Sequence, residues 1–143
     1  MPDLPEITPG AYVLDVHALF ALLQGEPGQE LVSALIERAA TDTTLHLSII
    51  NFGELAYISE RERGAERSAQ MLADIRRLPI ELCEAMEARV LAAARLKAHH
   101  PMSYADAFAV ALAQELKAVL VSGDPELTAM RAVVPVLWID RAG

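Results

Sequence analysis

Short apolar runs alternate along this chain with longer segments whose apolar residues recur at helical spacing. The run Tyr12-Val13-Leu14 contains no polar alternation, which is typical of a strand buried on both faces of a sheet. Comparable runs predict further strands at residues 45–48, 80–83, 118–121 and 134–138. These runs define the strand positions on which the fold assignment depends.

Helices are predicted between the strands from apolar spacing and from end signals. Residues 51–63 form one such segment, which ends at the C-cap residue Gly64. Ser103 begins another, on which Tyr104 and Phe108 are expected to be core residues. A short helix is predicted after the fourth strand, starting at Asp124-Pro125.

Strand followed by helix throughout is the signature of an α/β fold built on a parallel sheet. The 143 residues fit one domain, assigned to residues 1–143 with residues 1–10 as a short lead-in. In open parallel sheets, ligands bind beyond the carboxyl ends of the strands, so the chemistry of this protein is expected at that edge.

Composition and charge exclude several classes of protein and of binding site. Hydrophobic residues make up 53% of the chain and charged residues 22%, as in a folded globular protein. The net charge of −8 disfavours tight nonspecific binding to nucleic acid, which depends on Lys and Arg neutralising phosphates. A single cysteine, Cys83, excludes an intramolecular disulfide and a cysteine-cluster zinc site.

The sequence also bears on location. The longest strictly apolar run, residues 107–113, is too short to cross a bilayer. The acidic, proline-rich start is unlike a signal peptide. We therefore expect a cytoplasmic protein that has no membrane partner.

Four acidic residues fall where this fold places its ligand site. Asp15 directly follows the first strand, and Asp124 follows the fourth. Glu54 lies near the start of the helix after the second strand, and Asp106 lies in the first turn of the helix before the fourth. Because strand ends and the helix starts after them share one edge, Asp15, Glu54 and Asp124 are expected to converge. Asp106 joins them only if its loop returns to that edge.

Each acid also has a structural explanation. The spacing from Asn51 to Glu54 fits a capping box in which Glu54 bonds back to the Asn51 amide, and Asp106 has the same spacing from a preceding serine. Asp124 is a good N-cap residue, and Asp15 can cap the helix that follows it. Asp15 is the hardest to explain in this way, because an acid that ends a buried strand has few structural reasons to be there.

Together the four carboxylates indicate a metal site. Carboxylates held close together raise one another's pKa values. The usual compensation is a hard divalent cation with oxygen ligands, and an all-oxygen site suits Mg²⁺ or Mn²⁺ rather than zinc. Such an ion activates water and stabilises the charge that develops on a phosphodiester.

Several motifs follow one another in a characteristic order. They are Tyr12-Val13-Leu14-Asp15, Gly25-Glu26-Pro27-Gly28, Ser48-Ile49-Ile50-Asn51-Phe52-Gly53-Glu54-Leu55, Ser103-Tyr104-Ala105-Asp106-Ala107-Phe108 and Leu120-Val121-Ser122-Gly123-Asp124-Pro125-Glu126-Leu127. On these motifs, over about residues 11–140, the chain resembles the PIN domain, and especially the compact VapC toxins of VapBC-type toxin–antitoxin pairs. No single motif is decisive; their order, spacing and extent make the resemblance specific.

The resemblance implies a three-layer α/β/α sandwich with a parallel sheet of about five strands. It implies endonucleolytic cleavage of RNA that depends on Mg²⁺ or Mn²⁺ and leaves a 5′-phosphate and a 3′-hydroxyl. Catalytic and metal-binding roles then go to the residues at the family's acidic positions, Asp15, Glu54, Asp106 and Asp124. Ser122 matches the small hydroxyl residue that often precedes the last acid. The implied partners are an RNA substrate, a cognate antitoxin and a second copy in a homodimer.

One position departs from the family pattern. The family usually has Ser, Thr or Asn in the two positions after the first acid, where this chain has Val16 and His17. His17 either replaces the lost polar contact, approaches the metal or simply occupies a partly exposed place in the first helical turn.

Arginines are concentrated between residues 61 and 77, where five of them accompany three acids. In the resembled family this helical hairpin flanks the active-site groove. Arg61, Arg63 and Arg67 are therefore candidate contacts to RNA phosphates, and Ser122 is a further candidate substrate contact. A solvated helix surface with local ion pairs explains the same arginines equally well.

Two other functions stay open. A PIN-fold RNA- or protein-binding module that has lost catalysis fits the presence of His17, although all four acids are retained. A phosphoryl-transfer protein with a strand-end aspartate as nucleophile fits poorly. A haloacid-dehalogenase-like phosphatase needs a second Asp where this chain has His17, and a response-regulator receiver needs a Lys after a late strand, whereas Lys117 precedes one.

Overall fold

The structure, a computed structural model, describes residues 4–139 apart from the side chain of Thr128. The strands are β1 (Gly10–Leu14), β2 (Thr43–Ser48), β3 (Ile80–Cys83), β4 (Val119–Ser122) and β5 (Val136–Trp138). The α-helices are α1 (Val16–Gln24), α2 (Gln29–Arg38), α3 (Ile49–Arg63), α4 (Ala65–Arg76), α5 (Glu87–His99) and α6 (Tyr104–Leu116). A 3₁₀ helix, Pro125–Ala132, lies between β4 and β5. The ends of the predicted domain, residues 1–3 and 140–143, lie outside the described residues.

The strands form one parallel sheet in the order β3-β2-β1-β4-β5. Strand order therefore reverses between β1 and β4, where Leu14 lies opposite Val121. Connections from β1 lead to one side of the sheet and those reaching β4 come from the other. Such a reversal leaves a crevice beyond the carboxyl ends of the two strands, which is where open α/β sheets bind ligands.

Helices cover both faces of the sheet, which confirms the three-layer α/β/α sandwich. Alternation along β1 sends Tyr12 and Leu14 into a core shared with α1 to α4, whereas Val13 belongs to a second core with α5 and α6. All three side chains are at most 3% exposed. Burial on both faces explains why the strands read as continuous apolar runs.

Helices α3 and α4 form a hairpin that turns at Gly64. This glycine has a φ of 91° and ends α3 while it begins α4, as the sequence predicts for the end of the helix. Two buried hydroxyls join the helices at 2.6 Å, Ser59 Oγ to Ser68 Oγ, and Ser68 also donates to the Ala56 carbonyl at 3.0 Å. Small side chains thus let the helices approach closely while their polar atoms stay paired.

Two element boundaries differ from the prediction. Strand β1 begins at Gly10, so the lead-in is shorter than residues 1–10. Helix α3 begins at Ile49 with Ser48 as its N-cap, and the Ser48 hydroxyl accepts a hydrogen bond from the Ile50 amide at 3.2 Å. The last residue of β2 therefore also caps the next helix, and no loop separates the two. Among residues 4–139, no helix has the length and apolarity required to cross a bilayer.

Candidate active site

Asp15 occupies the position between β1 and α1. It is the N-cap of α1, and its Oδ1 accepts a hydrogen bond from the Ala18 amide at 3.0 Å. The residue is 0% exposed, and Oδ2 is buried without a hydrogen-bond partner. His17 Nδ1 lies 3.5 Å from this oxygen. Capping therefore explains one oxygen of Asp15 and leaves the other available.

Asp124 lies beyond β4, on the other side of the reversal in strand order. It is the N-cap of the 3₁₀ helix, and its Oδ1 accepts a hydrogen bond from the Glu126 amide at 2.9 Å. Ser122 Oγ in turn accepts from the Asp124 amide at 3.0 Å. The predicted capping role is confirmed, and Ser122 shapes the turn that carries Asp124.

Glu54 lies in α3, half-buried, and its carboxylate is held by Asn51. The Asn51 side-chain amide donates to Glu54 Oε1 at 3.0 Å. The predicted capping box is wrong, because Asn51 lies inside the helix that Ser48 caps. Burial raises the pKa of Glu54, the hydrogen bond from Asn51 lowers it, and the negative charge of Asp15 raises it again. The net shift is upward.

Asp106 reaches the same edge from the first turn of α6. Ser103 caps that helix, and its Oγ accepts a hydrogen bond from the Asp106 amide at 3.1 Å. The predicted role of Ser103 as the N-cap residue is therefore confirmed. Asp106 is 4% exposed. Burial raises its pKa to about 7, together with the negative charges of Asp124, Asp15 and Glu54. The loop before α6 therefore does return to the edge where the other acids lie.

Two residues that the sequence analysis did not assign to the site also belong here. A carboxylate oxygen of Glu126 lies within 4.8 Å of oxygens of Asp106 and Asp124. The signal was present in the sequence, since Glu126 follows Asp124 by two residues. Asn51, fully buried, donates to the Ala105 carbonyl at 3.1 Å and so joins α3 to α6 beside Asp106. Its role had no sequence signal beyond its nearness to Glu54.

The donor set fits Mg²⁺ or Mn²⁺. Burial, together with the negative charges of the neighbouring acids, raises the pKa values of Glu54 and Asp106. The unpartnered Oδ2 of Asp15 is an orphaned buried oxygen of the kind that a cation satisfies. Oxygen ligands in this number suit a hard divalent ion. The four predicted acids are therefore brought together, and a metal is compatible with them.

His17, in the first turn of α1, faces this acidic cluster. The adjacent Asp15 carboxylate raises the pKa of His17 to about 9, against the opposing effect of burial, and the charges of Asp124 and Asp106 add to the rise. The side chain is nonetheless 46% exposed. Val16, by contrast, is 5% exposed and packs into the core. Of the two residues that differ from the usual family pattern, Val16 and His17, only His17 therefore faces the acidic cluster.

The arginines lie beyond the acids along the α3–α4 hairpin. Arg61 is two turns after Glu54 on the same face of α3, and its guanidinium lies 5.5 Å from the centre of the exposed Tyr57 ring. Arg63 is exposed in the last turn of α3. Arg67 donates to Gln70 Oε1 at 3.0 Å on α4. None of the three has a described ion pair with an acid of the cluster.

A second group of potential ligands lies on the neighbouring strands β2 and β3. His46 Nδ1 is 2.7 Å from Glu81 Oε1, and the Cys83 thiol is 3.6 Å from the same oxygen. Burial, followed by the charge of Glu81, raises the pKa of Cys83 to about 11, so the thiol is protonated at neutral pH. Glu81 thus pairs with both His46 and Cys83. The expected free thiol at Cys83 is confirmed.

The family follows from comparison with known proteins. The PIN domain family model matches residues 12–133, which include all four acids of the cluster. The chain belongs to the PIN domain family. A search of curated protein sequences found no match.

Several solved structures that resemble this chain are described as members of toxin–antitoxin systems. VapBC2 from Rickettsia felis, bound to a DNA fragment from its promoter, has a TM-score of 0.73 and 17% identity, with 91% of this chain and 99% of that chain covered. DNA-bound VapBC from Salmonella typhimurium has a TM-score of 0.72 and 14% identity, covering 91% and 98%. VapC20 from Mycobacterium tuberculosis, described as a sarcin-ricin loop cleaving toxin, has a TM-score of 0.67 and 18% identity, covering 82% and 93%. At these identities the likeness shows the fold.

Proposed function

We propose that this protein is a metal-dependent endoribonuclease and the toxin of a VapBC-type toxin–antitoxin pair. The observation that carries the proposal is the convergence of Asp15, Glu54, Asp106 and Asp124, from separate elements, beyond the carboxyl ends of β1 and β4. A fold alone does not define a function, but this site has the charge and the donors for phosphodiester hydrolysis. We place the protein in the cytoplasm, where its single thiol stays reduced.

The four acids and Glu126 would hold Mg²⁺ or Mn²⁺. When bound, such an ion lowers the pKa of water and offsets the charge that develops on a phosphodiester. Asp15 contributes Oδ2, because its Oδ1 is engaged by the Ala18 amide. Asn51 fixes the Glu54 carboxylate, and Ser122 fixes the turn of Asp124. No protein nucleophile is required, so water attacks the phosphodiester directly.

Arginines on the α3–α4 hairpin are proposed to hold the RNA. Arg61 lies on the same helical face as Glu54, and Arg63 and Arg67 follow at the end of α3 and the start of α4. Phosphate contacts of this kind position a substrate without reading its sequence. With a net charge of −8, the protein is expected to bind RNA locally through these residues and to select by RNA shape. Ser122 stays a predicted substrate contact; its described hydrogen bond is to the Asp124 amide.

The proposed partners are a single-stranded or structured RNA, an antitoxin and a second copy of the chain. The neighbouring toxin VapC20 is described as cleaving the sarcin-ricin loop, and other neighbours are VapBC complexes. On this chain, Gly53, Ala56, Tyr57, Glu60 and Arg61 line a surface groove along α3, and Tyr57 is 55% exposed. An antitoxin segment in this groove would cover Tyr57 and neutralise Arg61.

A cleavage assay that compares the wild-type protein with a variant in which one acid is replaced by its neutral amide tests the proposal. Purified protein is incubated with total RNA that contains ribosomal and transfer RNAs, in Mn²⁺, Mg²⁺ or EDTA. We expect cleavage with metal only, products with 5′-phosphate and 3′-hydroxyl ends, and complete loss in Asp15→Asn. Asp42→Asn, which changes an exposed acid paired with Arg38, is the matched control and retains activity. Absence of cleavage with either metal, together with no metal binding by calorimetry, would favour the catalytically silent binding module.

A further inference from the structure

His46, Glu81 and Cys83 bring three different donor atoms together on one face of the sheet. His46 lies opposite Glu81 in the register of β2 with β3, and Cys83 follows Glu81 by two residues, so strand alternation turns all three side chains to the same face. One nitrogen, one oxygen and one sulfur thus lie within 4.8 Å of one another. None of the three residues belongs to the acidic cluster.

The separations of these atoms are close to those of ligands on one tetrahedral ion. Bond lengths of about 2.0–2.3 Å place neighbouring nitrogen, oxygen and sulfur ligands of Zn²⁺ roughly 3.3–3.6 Å apart. Glu81 Oε1 and Cys83 Sγ already have this separation, at 3.6 Å. His46 Nδ1 and Glu81 Oε1, at 2.7 Å, have to move apart by about 0.6 Å. The Glu81 side chain is 65% exposed and has the freedom to do so.

The imidazole of His46 has the support that a metal-bound histidine needs. A carboxylate only accepts hydrogen bonds, so Nδ1 donates a proton to Glu81 in the metal-free protein. The second ring nitrogen, Nε2, lies 3.0 Å from the Thr44 hydroxyl, which can accept a hydrogen bond from it. A cation in place of the Nδ1 proton would therefore leave Nε2–H donating to Thr44, the outer contact that fixes a ligating imidazole.

The charges around the three donors are compatible with a bound cation. Burial raises the pKa of the Cys83 thiol to about 11, so the thiol is neutral in the metal-free protein, and a metal ion deprotonates a thiol that it coordinates. The hydrogen bond with His46 lowers the pKa of Glu81 and keeps it a carboxylate. The positive charge of Arg89 acts on Glu81 and Cys83 as well, but two hydrogen bonds of 3.0 Å pair this guanidinium with Glu115.

We propose that His46, Glu81 and Cys83 form a second metal site, which binds Zn²⁺ and leaves a fourth position open to water. Imidazole and thiolate donors suit Zn²⁺, whereas Mg²⁺ favours oxygen ligands. One cysteine is enough, because the donor set is mixed. The ion would join β2 to the edge strand β3 and stabilise the folded protein, and the proposed RNA cleavage does not depend on it.

Co²⁺ tests this site, because it replaces Zn²⁺ and its absorption spectrum reports its ligands. With Co²⁺, the reduced wild-type protein is expected to show the near-ultraviolet charge-transfer band of a thiolate ligand and the intense visible bands of a tetrahedral ion. An equimolar amount of Zn²⁺ is expected to remove both. Because Cys83 is the only cysteine, the charge-transfer band should be absent in Cys83→Ser. Co²⁺ affinity should fall at least about tenfold in His46→Ala and in Glu81→Gln.

Two control variants separate this site from the acidic cluster and from other histidines. Asp15→Asn alters the acidic cluster, and His99→Ala removes an exposed imidazole at the end of α5; both are expected to keep the thiolate band. Absence of the band in wild-type protein with excess Co²⁺, or its loss in Asp15→Asn, overturns the proposal. Unchanged Co²⁺ affinity in folded His46→Ala and Glu81→Gln also overturns it. Thermal melts establish which variants fold, and the His46 and Glu81 variants decide the matter if Cys83→Ser does not.

Discussion

Asn51 and Glu54 are joined by a hydrogen bond of 3.0 Å, in which the Asn51 side-chain amide donates to Glu54 Oε1. The same amide donates to the Ala105 carbonyl at 3.1 Å, at the start of the helix that carries Asp106. Asn51 is fully buried, so the contact is shielded from water. One amide thus sets the position of an acid on α3 relative to the first turn of α6.

Removing this amide is expected to weaken metal binding. In Asn51→Ala, Glu54 loses its hydrogen-bond donor, and Mn²⁺ affinity should fall about 10- to 100-fold, as for other residues that orient a metal ligand. Isothermal titration calorimetry measures the change. Since Ala also removes the hydrogen bond to the Ala105 carbonyl, a loss of about 0.5–1.5 kcal/mol in the free energy of unfolding is expected. Unchanged Mn²⁺ affinity in a folded Asn51→Ala protein would show that Glu54 needs no such support.

Asp106 is expected to make the metal-free protein less stable as pH rises. Its pKa is about 7 in the folded protein, against an ordinary value of 3.8, so between these values the folded state binds more protons than the unfolded state. The contribution of Asp106 to the free energy of unfolding is therefore full below about pH 4 and is lost as pH approaches about 7. Thermal denaturation in EDTA across this range measures the decline.

The matched variant is Asp106→Asn, which keeps the shape and removes the titration. Its melting temperature in EDTA should depend less on pH between about 4 and 7, and at pH 8 it should exceed that of the wild type. Mn²⁺ should raise the melting temperature of the wild type at pH 8 more than that of the variant. Equal pH dependence in both proteins would assign the titration to another group.

Reversing the charge of Arg61 is expected to reduce RNA affinity. Arg61→Glu should weaken binding severalfold at low salt and lower the slope of log affinity against log salt by about 1, because one phosphate contact is lost. Asp15→Asn protein is used in a filter-binding assay, so that RNA is bound without being cut. Arg95→Glu, on the exposed face of α5, changes the net charge equally and should leave the slope unaltered. If both substitutions lowered the slope equally, the effect of Arg61 would come from the net charge of the protein and not from a contact with one phosphate.

Two glycines of the same chain should respond oppositely to alanine. Gly28 has a φ of 102°, and a Cβ there would lie 2.9 Å from Ile139 Cβ, so Gly28→Ala should cost about 1–3 kcal/mol of unfolding free energy. Gly53 lies inside α3 with no atom within 4 Å of an added Cβ, and Gly53→Ala should stabilise by about 0.5–1 kcal/mol. Chemical denaturation measures the free energy of unfolding of both variants. A lower value for Gly53→Ala would mean that the added methyl group clashes with the residues that line the groove beside it.

The fold was predictable from sequence because its parallel strands are buried on both faces. Their apolar runs stand out against the helical spacing around them, and strand ends were placed within a few residues. Boundaries were harder where two signals overlap: Ser48 ends β2 and caps α3 at once, so Ile49 and Ile50 belong to the helix. The predicted core position of Tyr104 was wrong. It shares helical spacing with Phe108, but as the first residue of α6 it is 44% exposed, against 6% for Phe108.

The sequence predicted those site residues whose positions follow from the parallel direction of the strands. Asp15 and Asp124 follow strands that share an edge, so their approach required only strand direction. Asp106 depended on the path of a loop, which spacing does not encode. Asn51 escaped because its amide acts through tertiary contacts with Glu54 and Ala105. The catalytic role of the four acids stays a prediction.

The order of the strands has a consequence for when the protein can act. Strand β1, which precedes Asp15, lies between β2 and β4, so the first acid meets Asp124 only after the chain has closed a loop of more than one hundred residues. Contacts of such sequence separation form late in folding, since loop closure costs entropy before any pairing compensates it. A growing chain on the ribosome therefore carries an incomplete cluster until β4 pairs. The four acids can therefore come together only once the chain has been synthesised through Asp124.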